Sequence, residues 1–134
     1  MTLSQLQHWK LVFVFKAWWN WCITVLFALV ERPLRRNWGL ETSSDYSYQQ
    51  LFLGLAFIFG IGYWQVSRDL TRNHDIVRLG IYGQVWVFVI SVYYAFAYGG
   101  RDPVHLLSVF PGTVDLVFAI LFVRFLKATR PTSE

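Results

Sequence analysis

One cysteine, Cys22, and three histidines are all that the sequence offers to soft-metal or redox chemistry. A single thiol permits no internal disulfide, no CxxC pair and no cysteine-based zinc site, which excludes the four-helix thiol oxidoreductases. His8, His74 and His105 fall at the ends of apolar runs. A haem carrier, whose histidines face one another within the helices, is therefore not expected, and neither a metal nor a cofactor is. Charge is scarce as well: 15% of 134 residues are charged and 55% are apolar, against about a quarter charged in ordinary soluble domains. The net charge of +4 is spread between apolar runs, so it lacks the single basic patch with stacking aromatics that a nucleic-acid partner requires.

What is present points to lipid. Seven Trp, seven Tyr and twelve Phe exceed what a soluble core of this size can hide, whereas a bilayer solvates exposed aromatics and its interfaces favour them. Four apolar runs are long enough to cross, at about 11–30, 50–67, 79–98 and 104–126. The first makes about 30 Å of helix and carries Lys16, Asn20 and three tryptophans, so it reads as a retained helix and not a cleaved leader. The fourth contains Pro111, Asp115 and Arg124. Its apolar residues, at about −0.3 to −0.6 kcal/mol each, outweigh the roughly +2.5 to +3.5 kcal/mol of a central aspartate. The expected fold is an all-α membrane protein: one domain over 1–127, four transmembrane helices in an antiparallel bundle, and a polar tail over 128–134.

Orientation follows from the basic residues. With four spans, one side carries Lys10, Arg68, Arg72, Arg78, Arg124, Lys127 and Arg130, and the other Arg32, Arg35, Arg36 and Arg101. That excess favours an N-in, C-in topology, with Arg68, Arg72 and Arg78 as surface anchors. The segment 32–48, with Leu34, Trp38 and Leu40 among its basic residues, reads either as an amphipathic helix along the interface or as a solvated loop. Gly99 to Pro103 reads as a tight turn. Tyr63 and Trp64 suit an interface, and His74 reads as a solvated loop histidine.

Lipid gives helices no hydrophobic reason to associate, so contact faces are marked by small and polar residues. Ser108, Gly112, Asp115 and Ala119 form such a seam in the fourth span, Gly80, Gln84 and Ser91 in the third, and Gly54, Ala56, Gly60 and Gly62 mark the second. Asp115 stands out. It lies about 16 Å from the inner end of its span, near the bilayer midplane. A carboxylate there must be paired, hydrated or protonated. Lys16, Asn20 and Gln84 are the candidate partners, although a lone membrane lysine ordinarily snorkels toward the interface. This cluster reads either as polar glue between helices or as a site that binds a ligand headgroup or moves a proton.

The run Phe59, Gly60, Ile61, Gly62 and Tyr63, followed by Arg68, Asp69, Arg72, His74, Ile76, Val77, Leu79, Gly80 and Gly83, resembles a widespread bacterial family of small four-span membrane proteins of unknown function. In size and layout these are DoxX-like or BphX-like. Asn20, the segment Trp38, Gly39 and Leu40, and the pair Asp115 and Leu116 also match the family pattern. Gln84 departs from it, because the family has lysine there; Lys16, one turn from Asn20, supplies a charge from another helix. The resemblance implies a bacterial inner-membrane location and no established reaction.

Three functions are compatible with these residues. The first is an accessory or lipophilic-ligand-binding module whose partners are membrane lipid, a lipophilic small molecule or a larger membrane complex. The second is a proton-transfer isomerase acting through Asp115 on a lipophilic substrate. The third is a proton-coupled transporter, for which four spans require a dimer.

Overall fold

The computed structural model describes residues 3–39, 46–99 and 104–129. Four α-helices account for nearly all of them: α1 (Leu3–Asn37), α2 (Tyr46–Arg68), α3 (His74–Tyr98) and α4 (Val104–Ala128). Each is long and apolar enough to cross a membrane. All four extend beyond their apolar runs. A helix satisfies its own backbone polar groups, so nothing forces it to stop where hydrocarbon ends.

This extension is largest in α1, whose 35 residues make about 52 Å of helix against about 30 Å of hydrocarbon. Residues 32–37 therefore continue α1 and form neither a separate interfacial helix nor a solvated loop. The helix runs through Pro33, where a backbone bond is lost, and the Glu31 carboxylate accepts from Arg35 Nε at 2.9 Å across the same turn. Termination comes at Gly39, whose φ of 65° is the left-handed conformation that closes helix C-termini and suits glycine. Of the expected 32–48 segment, residues 40–45 lie outside the described residues and 46–48 begin α2, and of the expected Gly99 to Pro103 turn, residues 100–103 lie outside them.

The helices pack chiefly as two pairs, α1 with α2 and α3 with α4, joined by lighter contacts of α2 with α3 and of α1 with α4. Several of the small residues sit where backbones approach. A side chain at Gly60 would meet the Trp21 indole and the Ala17 carbonyl, and one at Gly112 would lie 3.0 Å from Ser91 Oγ. Gly54 is different, with open space beside it.

The core lies toward the α2–α3 loop. Phe13 stacks on Phe122 at 4.7 Å and meets Phe125 edge-on at 4.9 Å, with Tyr63, Val66 and Val77 buried against them. At the same end His74 is packed: its ring lies 3.0 Å from the Leu70 carbonyl and edge-on to Phe125, so it is not a freely solvated loop histidine. In the loop, the Thr71 hydroxyl and amide donate to Asp69 at 2.7 and 3.0 Å and hold that carboxyl below the usual carboxylate range, helped by Arg72. Arg72 pairs with Asp69 at 3.6 Å and Arg78 with Asp75 at 2.5 Å. Both pairs span three residues at an exposed surface, where ion pairs add little stability.

Candidate functional site

Lys16 and Asp115, 99 residues apart in sequence, meet at the centre of the bundle. Lys16 Nζ donates to Asp115 Oδ1 at 2.5 Å. Trp19 follows Lys16 by one turn of α1 and packs edge-on against Phe110 of α4 at 6.0 Å, on the same side of the helix. Lys16 is 1% exposed, whereas the Asp115 side chain keeps 16% of its surface open. The expected snorkelling of Lys16 does not occur. Its route toward the loop end is filled by Phe13, Phe118 and Phe122, and the Phe118 and Tyr63 rings lie 5.3 and 5.9 Å from its ammonium. Aromatic faces carry negative potential and attract a cation, so these rings add to the pull of the carboxylate.

Asn20 and Gln84, the other candidate partners, turn elsewhere. Asn20 Nδ2 donates to the Ala56 carbonyl at 2.9 Å and Trp21 Nε1 to the Phe57 carbonyl at 3.2 Å, which ties α1 to α2. Gln84 Nε2 donates to the Tyr63 hydroxyl at 2.9 Å, which ties α3 to α2. The polar residues thus form two units, the Lys16–Asp115 pair and the Tyr63–Gln84 pair, with the Tyr63 ring beside the Lys16 ammonium.

Tyr63 corrects the sequence-based expectation of an interfacial tyrosine. It is 2% exposed, wedged against Gly80 and edge-on to Phe122 at 5.1 Å. Its place in the sequence, directly before Trp64 and Gln65, reads as an interfacial aromatic pair and carries no sign of this. The available signal is the glycine two turns before Val87 in α3, which leaves room for a ring from another helix. Among the described residues, two buried side-chain polar atoms have no hydrogen-bond partner, Gln84 Oε1 and Thr24 Oγ1. A buried, unsatisfied acceptor costs on the order of 1–3 kcal/mol, so Gln84 Oε1 marks a place where a donor would be welcome.

Of the expected surface anchors, Arg68, Arg72 and Arg78 are all exposed near the α2–α3 loop. Among the described residues no three His, Cys, Asp or Glu side chains group to hold a metal ion. Comparison of the chain with protein families, with curated proteins and with solved structures finds no match.

Proposed function

We propose that the chain is a multi-pass protein of the bacterial inner membrane that binds a lipophilic ligand at the polar layer around Asp115, either alone or as an accessory module of a larger complex. The observation that carries this reading is the Lys16–Asp115 pair, with the lysine sealed in the core and the aspartate side chain still partly open. Burying two charges costs more desolvation than their attraction need return, and apolar residues of similar size hold helices together as well or better. A pair kept there despite that cost is better suited to meeting a polar headgroup than to acting as glue. Native mass spectrometry of the protein in mild detergent tests this: a co-purifying lipophilic molecule is expected, and a bare chain with neither ligand nor partner would count against it.

The arrangement is antiparallel with both termini cytoplasmic. Positions rise along α1 as they fall along α4, from Phe13 beside Phe122 through Lys16 beside Asp115 to Trp19 beside Phe110. The basic residues favour the cytoplasm for the α2–α3 loop. An alkaline phosphatase fused after Glu134 is expected to be inactive in cells; an active fusion would invert the topology.

The bacterial location rests on the motif spacing over 59–83. Gln84 reaches the ring beside which the Lys16 ammonium lies, which supports Lys16 as the charge that replaces the family's lysine. A second reading, proton transfer on a lipophilic substrate, gains from the same pair, because Lys16 and Asp115 are two titratable groups in contact. Asp115→Asn would then abolish turnover in a folded protein, whereas ligand retention is the readout of the binding reading.

A further inference from the structure

The two helix pairs separate away from the α2–α3 loop, and the separation can be followed along one face of α3. Ile76, Gly80, Gly83 and Val87 recur at three- and four-residue steps and so share that face. At Ile76 the helices touch: a side chain on Gly62 of α2 would lie 3.1 Å from Ile76 Cγ2. At Gly80 they touch again, through the Tyr63 ring. At Gly83 nothing lies within 4 Å of where a side chain would begin.

Helix α2 shows the same divergence. Gly60, Tyr63, Val66 and Ser67 are buried, but none of residues 49–59 is. Leu55, two turns from Gly62 on the same face, is 58% exposed. The face that meets α3 near the loop has left it there. Beyond Gly80 the facing sides of α2 and α3 therefore part into a groove, and the Tyr63–Gln84 hydrogen bond lies at the level where the two helices last touch. Gln84 is 3% exposed and its Oε1 has no partner.

We propose that this groove holds a lipophilic molecule headed by a hydroxyl group, an alcohol or phenol, which donates its hydrogen bond to Gln84 Oε1. The inference rests on the ligand-binding reading and goes beyond it, because the head is placed at Gln84, across the Tyr63 ring from the Lys16–Asp115 pair. Gln84 Nε2 already donates to Tyr63, so the amide oxygen is the vacant half, and a carboxylate, ether or ketone head has no proton to give it. The apolar walls suit a hydrocarbon tail, and the open edge allows entry from the bilayer.

The test uses two probes that differ by one donor, 4-dodecylphenol and its methyl ether, added to the full chain in detergent and counted by native mass spectrometry. The wild type is expected to retain the phenol about tenfold more than the ether, the ratio that one net hydrogen bond gives. Gln84→Met, which removes the acceptor, should bring that ratio to about one. Gly83→Leu fills the groove from a position with free space and should exclude both probes. Equal retention of phenol and ether by the wild type, an unchanged preference in Gln84→Met, or undiminished retention in Gly83→Leu overturns the hydroxyl assignment or the groove while leaving a ligand-binding protein. Failure of the wild type to retain either probe or any co-purified lipophile removes the ligand-binding reading itself. Because the wild-type ratio and the Gly83→Leu result need no change at Gln84, the proposal stays testable even if Gln84→Met does not fold.

Discussion

Lys16→Met is expected to destabilise the bundle by about 3–5 kcal/mol, the usual cost of stripping one partner from a buried ion pair. The methionine fills much of the volume, so the loss comes from the Asp115 carboxylate, left near the middle of the bundle with no opposing charge. The double variant Lys16→Met/Asp115→Leu is expected to regain most of that loss, because replacing both members of a buried pair by apolar residues is often neutral or stabilising. Denaturant titration in detergent provides both numbers, and with the Asp115→Leu single variant added the cycle isolates the coupling between the two side chains. If the losses of the two single variants add up to that of the double variant, the pair contributes nothing as a pair. Ligand retention separates structure from function: the double variant should be stable yet lose its co-purified lipophile. A stable double variant that still carries it would make the pair mere glue.

Gly80→Ala has the second-largest expected effect. The new Cβ would stand 2.6 Å from the Tyr63 hydroxyl oxygen and 2.8 Å from Cε1, and a ring that is 2% exposed has nowhere to retreat. Overpacking of this kind costs about 1–3 kcal/mol, and a displaced Tyr63 would also give up its bond to Gln84. Gly83→Ala, three residues on and facing open space, serves as the control, since it adds the same methyl to the same helix without a collision. It should be neutral or slightly stabilising, because alanine is the better helix former by about 1 kcal/mol. Thermal unfolding of the two variants side by side measures the difference. Equal stability would mean that Tyr63 is not held against α3.

Both predictions concern contacts between helices, and there the sequence was least legible. Asp115 could be placed at depth because helical rise converts residue count into ångströms. The same count set Lys16, Asn20 and Gln84 within reach, yet it could not choose among them. Lys16 took the carboxylate while Asn20 and Gln84 bound α2. Snorkelling looked natural for Lys16 only because the plug formed by Phe13, Phe118 and Phe122 comes from two different helices. Tyr63 looked interfacial for the same reason, its partner Gln84 lying 21 residues away. The seam residues Gly60, Gly80 and Gly112 were legible as contact positions, although Gly54 has the same signature and touches nothing.

By itself the sequence determined the number of long apolar helices, the approximate limits of three of them and the place of Asp115 midway along the fourth, because hydropathy and rise per residue act along one chain and need no partner. Only the tertiary structure decided which way each polar side chain turns, that Lys16 is sealed beside Asp115, and that α2 leaves α3 beyond Gly80. Those outcomes depend on the rotation and tilt of one helix against another, which packing between distant segments sets and local periodicity does not encode.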